Sequence, residues 1–400
     1  MLIFRYLYKF HCPILANHYN APVSVKKTKP VIPQGDAART RSIRRSLLVW
    51  FAANARDMPW RRTRDPYAIW VSEVMLQQTQ VDTVIPYYHR FLDTFPTIGR
   101  LAAADLDRLL KVWEGLGYYT RARNLHKAAR AVVENHAGQI PDDLDALLSL
   151  PGVGRYTAAA VGSIAFGLAA AVLDGNVIRV LSRLDCIKDD PSKPKIRERL
   201  WQRADELLDP AHPGDFNQAM MELGATVCLP RNPLCPSCPV AEQCLARHRG
   251  LQDKLPIRKK AAKLPLQVVA VGLIWKGRKL LIDKRKPEGL LGGLWEFPGG
   301  KRLPGEKLPA TIVREAKEEL DIVIEPGRQV CVVEHTYSHF CVRLHVFECR
   351  FVSGRVRCRT CDEFRWILLQ DLDRFAFPGA NRKIFPFLPN TNPPAKTKRD

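Results

Sequence analysis

The stretch from Leu150 to Asn176 constrains the fold of this chain more than any other part of the sequence. It opens with Leu-Pro-Gly-Val-Gly-Arg-Tyr-Thr-Ala, continues as an apolar run and ends in Leu-Asp-Gly-Asn. A proline and two glycines indicate a tight turn between two helical patterns. The acid Asp174 follows a run whose other residues have the composition of a buried segment. We therefore predict a helix–turn–helix pair whose second helix starts with unpaired backbone N–H groups, followed by a candidate catalytic carboxylate.

The net charge points to a polyanionic partner. The chain has 62 Lys and Arg residues against 41 Asp and Glu residues, which gives a net charge of +21. An excess of this size favours nucleic acid over other partners. An anionic membrane surface is the alternative, but no apolar run reaches the roughly 20 residues that span a bilayer. Eleven cysteines, an odd number spread through a long chain, argue against a disulfide scaffold and for a reducing compartment.

Composition and periodicity divide the chain into five segments. Residues 1–40 form a basic extension that we expect to be disordered or to reflect a start placed too early, with organelle targeting as the alternative. Helical spacing dominates residues 41–249, and a basic, proline-bearing linker covers 250–265. Residues 266–388 change to a period of two, interrupted by one helix, and we expect the tail 389–400 to be disordered. The fold class is therefore multidomain: an all-α domain followed by a small α+β domain.

The periodic runs predict individual elements. Helices are predicted over Ile43–Ala52, Trp70–Val81, Leu101–Leu110, Asp143–Ser149 and Ala310–Leu320. Strands are predicted over Val268–Trp275, Lys279–Lys284, Gln329–Glu334, Val342–Arg350 and Phe364–Leu368.

The turn at Leu150–Ala158 predicts an anion site. Gly152 and Gly154 allow the backbone to come close to a phosphate, and the N–H groups at the following helix start favour an anion. Such contacts position DNA without reading its sequence. We predict Gly152, Gly154 and Arg155 as DNA-binding residues; a plain helix–loop–helix turn is the alternative.

Five motifs together resemble one family. They are Pro59–Arg62 (PWRR), Trp70–Gln80 (WVSEVMLQQTQ), Trp113–Tyr119 (WEGLGYY), Leu150–Ala158 (LPGVGRYTA) and Leu173–Val177 (LDGNV). They resemble the MutY-type adenine DNA glycosylases of the endonuclease III-like superfamily, and the resemblance extends from about Ser42 to Leu388. It implies a helix-hairpin-helix glycosylase domain followed by a Nudix-like domain. It also implies base excision repair of adenine mispaired with 8-oxoguanine or guanine in double-stranded DNA, with the base flipped out of the duplex. We expect a monomer in the cytoplasm of a bacterial-type cell, associated with the nucleoid.

Two acids fit the chemistry of this reaction. Cleavage of a glycosidic bond needs a proton for the leaving group and charge stabilisation for an oxocarbenium-like sugar. Glu73 lies among apolar neighbours, and burial should raise its pKa. By resemblance it protonates adenine at N7; a helix-surface acid is the alternative. Asp174 should stay ionised through nearby donors, and by resemblance it stabilises the sugar cation; a helix N-cap is the alternative, and the two roles are compatible.

Tyr156 distinguishes two enzyme types. Related bifunctional glycosylase/lyases have a lysine here, which forms a Schiff base, and a phenol cannot do so. The resemblance therefore implies a monofunctional enzyme, with a bifunctional glycosylase/lyase as the alternative. It assigns further roles: Tyr156 and Asn176 orient the site, Arg61 and Glu222 contact the flipped adenine, and Gln78, Thr79, Leu116 and Tyr118 enter the helix near the orphaned guanine. The alternative for Tyr118 is a core aromatic.

Cys228, Cys235, Cys238 and Cys244 form a cluster in the loop 228–244. Four thiolates bind zinc or an iron–sulfur cluster, and their spacing alone does not choose between the two. The resemblance implies a [4Fe–4S] cluster.

The last domain contains a Nudix-type signature. It runs from Gly300 to Ile322 and includes Glu315, Glu318 and Glu319 at one-turn spacing, a plausible Mg²⁺ site. Asp321 departs from the glycine of the signature. Hydrolysis of oxidised nucleoside triphosphates is therefore an alternative function; a solvated glutamate face is the simpler interpretation. Tyr337, Ser338 and His339 resemble the family's loop that recognises 8-oxoguanine, and a simple hairpin turn is the alternative.

Overall fold

The computed structural model describes residues 34–257 and 264–389. Most of the basic extension, the centre of the linker and the residues after Pro389 lie outside them. Residues 34–40, predicted to belong to a disordered extension, instead begin the first helix. The guanidinium of Arg39 donates to the Asp185 carboxylate and to the Leu184 carbonyl, both at 2.8 Å, and Thr40 is buried. These contacts make the end of the extension part of the fold.

The first part of the described chain is helical. Its helices are α1 (Gln34–Asn54), α2 (Pro66–Leu76), α3 (Val81–Thr94), α4 (Ile98–Ala102), α5 (Leu106–Trp113), α6 (Thr120–Asn135), α7 (Leu144–Ser149), α8 (Arg155–Phe166), α9 (Gly175–Leu184), α10 (Pro194–Leu207), α11 (Pro213–Thr226) and α12 (Leu245–His248). Short 3-10 turns lie at Pro59–Arg61, Cys235–Ser237 and Ala241–Gln243. No described helix is long and apolar enough to cross a membrane.

Two predicted helices are interrupted. The run Trp70–Val81 is broken after Leu76, because Gln78 adopts a left-handed conformation with φ 58°, and α3 begins only at Val81. The run Leu101–Leu110 contains two helices, because the Asp105 carboxylate accepts the backbone N–H groups of residues 107 and 108 and so starts α5. Apolar spacing alone did not reveal these caps.

The second part is an α+β region. It contains β1 (Leu266–Lys276), β2 (Lys279–Lys284), β3 (Trp295–Glu296), β4 (Gly299–Lys301), α13 (Leu308–Leu320), β5 (Val323–Thr336), β6 (Cys341–Ser353), β7 (Glu363–Ile367) and α14 (Gly379–Arg382). The strand order is β3-β2-β1-β6-β5, with β4 paired to β1 and β7 to β2. Among the strands of the described residues, β1 and β6 pair in parallel and every other pair is antiparallel. An all-α region followed by a small α+β region confirms the predicted fold class.

The described residues form two compact units. One contains residues 34–73 and 139–257, and the other contains 74–138 together with 264–389. The division differs from the single helical domain predicted over 41–249, because α3–α6 group with the sheet. Within that unit the buried carboxylate of Glu114 accepts the backbone N–H of Phe377 at 2.8 Å. Sequence periodicity carries no information on such long-range packing.

Each unit has its own core. In the first, Leu47 of α1, Leu181 of α9 and Leu207 of α10 are fully buried and belong to one apolar cluster. In the second, the sheet packs on two faces: one face buries Phe377 and Leu280, and the other packs against Ile312 of α13. These cores hold the helix ends that carry the polar residues described next.

Candidate active site

Glu73 lies on a helix that is apolar all round. Its neighbours Val71 and Met75 are buried, and Glu73 itself is 5% exposed. The Tyr156 hydroxyl donates to Glu73 Oε2 at 2.7 Å. Burial raises the pKa of Glu73 to about 7, and the charge of Asp174 adds to the rise, whereas the hydrogen bond from Tyr156 opposes it. A large fraction of Glu73 therefore carries a proton at neutral pH.

Asp174 caps α9. One of its oxygens accepts the Val177 backbone N–H at 2.7 Å, and the other accepts Asn176 Nδ2 at 2.9 Å. Burial raises the pKa of Asp174, and the donors at Val177 and Asn176 only partly offset the rise. The donors expected to keep it ionised are thus present, but desolvation outweighs them. Because the side chain remains partly exposed, solvent reduces this effect, and Asp174 is both a helix cap and an acid facing the site.

Arg179 fixes the side chain of Asn176 by a hydrogen bond. Its guanidinium, on a residue that is 5% exposed, donates to Asn176 Oδ1 at 2.8 Å and to the Gly224 carbonyl at 2.6 Å. Its Nε donates to the Cys228 carbonyl at 2.7 Å. A Cβ on Gly224 would lie 2.5 Å from that of Asn176, so the close approach requires glycine. Sequence reasoning missed Arg179; the signal was an arginine one turn after Asn176 inside an apolar helix.

Glu222 is neutralised by two arginines. It is 1% exposed, and it accepts Arg61 Nη2 at 2.9 Å and Arg56 Nε at 2.6 Å. Burial alone would raise the pKa of Glu222, but the hydrogen bonds from both arginines outweigh it and lower the pKa. The structure thus brings together Arg61 and Glu222, the two residues predicted to bind adenine. Arg56, which sequence reasoning missed, pairs with the same carboxylate.

The predicted anion site has the expected backbone geometry. Gly152 is left-handed at φ 76°, and Gly154 is the N-cap of α8. The Arg155 guanidinium pairs with Asp205 at 3.0 Å and lies 4.1 Å from the centroid of the Trp201 ring. The helix start can accept an anion through its N–H groups, while the contact of Arg155 with DNA stays a prediction.

Four residues predicted to enter the DNA helix lie in the second unit, on two segments joined by Arg121. Gln78 and Thr79 follow α2, and Leu116 and Tyr118 lie between α5 and α6. Arg121 donates to Thr79 Oγ1 at 3.2 Å and to the Leu116 carbonyl at 3.1 Å. Tyr118 is 42% exposed, but Leu116 is buried at 5%, so the structure does not present Leu116 to solvent. Sequence reasoning missed Arg121.

The loop Tyr337–His339 connects β5 to β6. It is a hairpin turn, closed by the Tyr337 backbone N–H, which donates to the Phe340 carbonyl at 2.9 Å. The Tyr337 ring packs against the core, and the Ser338 hydroxyl is hydrogen-bonded to the Tyr118 hydroxyl. Two segments predicted separately to contact the same base pair are therefore adjacent.

The four cysteines of the 228–244 loop line one cavity together with Arg183 and Arg247. Arg183 Nη1 lies 3.2 Å from Cys228 Sγ. Burial raises the pKa of the Cys238 thiol to about 12. The sulfurs share this cavity with the buried Arg183, although no group of three or more Cys, His, Asp or Glu among the described residues is arranged to hold a metal ion.

The glutamates of the Nudix-type signature surround one arginine. Arg314 pairs with Glu306 at 2.8 Å, Glu315 at 2.9 Å and Glu318 at 3.0 Å. Burial raises the pKa of Glu319 to about 7, with repulsion from Glu315 and Glu296 adding to the rise. Asp321, which replaces the signature glycine, adopts the left-handed conformation at φ 58° and pairs with Lys317 and Arg359.

Comparisons with known proteins match both the helical part and the α+β part of the chain. The family model of the HhH-GPD superfamily base excision DNA repair protein matches residues 71–206, and that of the NUDIX domain matches residues 270–386. The adenine DNA glycosylase of Homo sapiens is 38% identical over 407 residues, covering 88% of this chain and 74% of the human protein. The chain belongs to the adenine DNA glycosylase family. The adenine DNA glycosylase of Schizosaccharomyces pombe is 32% identical, and the match covers 82% of this chain and 86% of the yeast protein.

Among solved structures, a thermostable thymine-DNA glycosylase is 30% identical, with a TM-score of 0.49. The match covers 54% of this chain and 99% of the thymine-DNA glycosylase chain. Membership of the adenine DNA glycosylase family confirms the resemblance of the five motifs. It identifies the chain as a hydrolase of N-glycosidic bonds in base excision repair.

Proposed function

We propose that this protein removes adenine opposite 8-oxoguanine or guanine in double-stranded DNA by hydrolysis, without cutting the strand. One observation carries the proposal: the buried Glu73, hydrogen-bonded to Tyr156, lies within electrostatic reach of Asp174. A proton donor and an acid with a different environment are the two groups that glycosidic hydrolysis needs. The names of the relatives support adenine as the excised base, and the environments of Glu73 and Asp174 support the roles proposed for them.

Glu73 donates a proton to the leaving adenine at N7. A pKa of about 7 keeps the donor protonated in a large fraction of molecules near neutral pH, and a donor with a pKa near the working pH is the most effective. Tyr156 fixes which oxygen of Glu73 is free, because its hydroxyl occupies Oε2.

Asp174 stabilises the positive charge that develops on the sugar as the bond to adenine breaks. Its carboxylate is fixed by the Val177 N–H and by Asn176, so it does not have to reorient during the reaction. Water then adds to the sugar C1′ and loses a proton, which leaves an abasic site and free adenine. Tyr156 cannot form a Schiff base, so no lyase step follows.

The base reaches these groups by flipping out of the duplex. Arg61 and Glu222 contact the flipped adenine together, a role that their direct hydrogen bond supports, and the α8 start holds a phosphate through Gly152 and Gly154. Tyr118, Gln78 and Thr79 enter the DNA helix at the base pair that the flipped adenine has left. The loop Tyr337–His339 recognises 8-oxoguanine through the Ser338 hydroxyl, which can donate or accept a hydrogen bond. We propose that the protein acts as a monomer.

Cys228, Cys235, Cys238 and Cys244 would hold a [4Fe–4S] cluster, which would cross-link the 228–244 loop. The hydrogen bond from Arg179 to the Cys228 carbonyl places this loop directly behind Asn176. A correctly folded cysteine loop therefore helps to position the catalytic side chains.

The test is a single-turnover assay on duplexes containing A:8-oxoguanine, A:G or A:T, with each sample divided between neutral and alkaline treatment. We expect adenine release from the first two duplexes and strand breaks only after alkali. Strand cleavage at neutral pH, together with covalent trapping by borohydride, would favour the bifunctional alternative. Absence of adenine release would overturn the proposal.

One observation favours a second candidate function, hydrolysis of oxidised nucleoside triphosphates. The α13 glutamates retain the spacing of a Mg²⁺ site, and the pKa of Glu319 is raised to about 7. Incubation of the full chain with 8-oxo-dGTP and Mg²⁺ tests it: formation of the monophosphate, lost in Glu319→Gln, would support this activity. We expect no monophosphate, because Arg314 already pairs with Glu315 and Glu318.

A further inference from the structure

Glu114 is a buried carboxylate in the second unit, on the segment between α5 and α6. It is 7% exposed. Lys111 Nζ donates to its Oε2 at 2.7 Å, and the Phe377 backbone N–H donates to its Oε1 at 2.8 Å. The Arg382 guanidinium also donates to Oε2. A buried carboxylate is tolerated only when it is paired, and two of these three donors come from the last 30 residues of the chain.

The same C-terminal segment is held by the neighbours of Glu114. Lys111 Nζ also donates to the Phe375 carbonyl at 3.0 Å, and the Tyr119 hydroxyl donates to the Phe377 carbonyl at 3.4 Å. The backbone of residues 375–377 is thus hydrogen-bonded to three side chains of the segment 111–119.

Tyr118 lies four residues after Glu114 in the same segment. The Tyr87 hydroxyl donates to the Glu114 carbonyl at 3.0 Å. Gly115, at φ 102°, lies so close to Tyr87 that a Cβ would be 2.1 Å from the Tyr87 hydroxyl oxygen. The segment therefore has little freedom between the Glu114 carboxylate and the exposed ring of Tyr118.

Glu114 is also connected, through Arg382, to the region of the loop Tyr337–His339. Its partner Arg382 lies on α14, and Gly379 at the start of the same short helix lies against the ring of His335, two residues before the loop. The hydroxyls of Tyr118 and Ser338 are hydrogen-bonded to each other. Glu114 is therefore connected to both residues of this contact.

We propose that Glu114 is a positioning residue for mispair discrimination. It fixes the separation of Tyr118 from the loop Tyr337–His339, so that both address the same base pair. It thereby contributes to the preference for adenine opposite 8-oxoguanine over adenine opposite guanine. This role rests on the proposed function, since it presumes that both segments contact that base pair.

The test compares Glu114→Gln with wild type in single-turnover adenine release from A:8-oxoguanine and A:G duplexes. Glutamine keeps an acceptor for Phe377 but loses the charge that holds Arg382 and Lys111. We expect the rate on A:8-oxoguanine to fall about tenfold, within the range of coupling between sites, and the rate on A:G to change by less than about twofold. Arg382→Gln should lower the same rate, by a similar or smaller factor, and the double variant should be no worse than Glu114→Gln, because the change at Glu114 already removes the ion pair with Arg382.

Two exposed residues provide matched controls, Glu134→Gln on α6 and Arg374→Gln near α14. Each forms an exposed ion pair with a neighbour on its own element, and neither change should move the ratio of the two rates. A purely structural role for Glu114 would lower thermal stability and reduce both rates in parallel, leaving the ratio unchanged, and this result would overturn the proposal. Additive effects in the double variant would also overturn it.

Arg382 provides the same readout if Glu114→Gln does not fold, because its side chain is 44% exposed and its replacement is easier to tolerate. The wild-type measurement separates the two proposals. A wild type that excises adenine equally from both duplexes would overturn the discrimination assigned under the proposed function, and with it the role of Glu114. A discriminating wild type with an unchanged ratio in Arg382→Gln would overturn only the role of Glu114.

Discussion

The site around Glu73 and the carboxylate face of α13 contain similar residues in opposite environments. Glu73 is buried, and its hydrogen-bond donor is a neutral phenol, so its pKa rises to about 7. On α13, Arg314 donates to Glu306, and this hydrogen bond is the main reason that the pKa of Glu306 falls to about 2. A carboxyl group that is buried without a cationic partner has a raised pKa and can donate a proton. A carboxylate that is paired with an arginine has a lowered pKa and stays ionised.

The same rule separates two acids inside the first unit. Glu222 is even less exposed than Glu73, but Arg56 and Arg61 lower its pKa. Glu319 follows the same rule on α13: its pKa is raised to about 7 by burial and by neighbouring acids, whereas Arg314 pairs with the adjacent Glu315 and Glu318. Function thus depends on pairs of acids with different environments, not on acidic residues as such.

The largest expected effect is at Glu73. Glu73→Gln keeps the side-chain shape and can still accept from Tyr156, but it has no acidic proton to give. We expect single-turnover adenine release to fall by about 10²- to 10⁴-fold, the usual contribution of a general acid. Glu134→Gln, an exposed acid of α6, is the matched control and should retain the wild-type rate. A Glu73→Gln protein as active as the control would remove the basis of the comparison.

Asp174→Asn comes next, because it separates the two roles of this residue. Asparagine caps helices about as well as aspartate, so we expect thermal stability to change little. The rate of adenine release should still fall by about 10²- to 10³-fold, since the charge facing the sugar is lost. A parallel loss of stability and activity would show instead that Asp174 acts only as a cap.

The smallest effect is expected on α13. Glu318→Gln removes one surface partner of Arg314, whose other partners remain. Such exposed pairs contribute about 0–1 kcal/mol to the free energy of unfolding. Thermal denaturation should show a shift of that size, and adenine release should stay within about twofold of wild type. A large loss of excision would mean that the α13 face takes part in the reaction.

The sequence was sufficient for the fold class and for the strands with regular alternation; β2 was predicted with its observed bounds, Lys279–Lys284. It did not separate α4 from α5, because the cap at Asp105 depends on backbone geometry. It also missed β3 and β4, which contain two and three residues and are defined by pairing with distant strands. Very short strands carry too little periodicity to be recognised.

The candidate site was predicted unevenly. Motif residues such as Glu73, Tyr156 and Asp174 were named from sequence, and the structure brings them together. The arginines that support the site, Arg56 and Arg179, were not named, because Arg56 pairs with Glu222, 166 residues away, and Arg179 also donates to the Cys228 carbonyl, 49 residues away. Partners of buried charges are set by packing, which a linear pattern does not contain.

The pH dependence of single-turnover adenine release tests the central claim most directly. The proton on Glu73 is required and is lost as pH rises through the folded-state pKa, so the wild-type rate should be highest at or below about pH 7 and decline above it, provided that DNA binding is constant. Tyr156→Phe removes a hydrogen bond that lowers the pKa of Glu73, so its decline should begin at higher pH, and the residual rate of Glu73→Gln should lack this decline. A wild-type rate that is constant from about pH 6 to 9, or that rises with pH, would contradict the assignment of Glu73 as the proton donor.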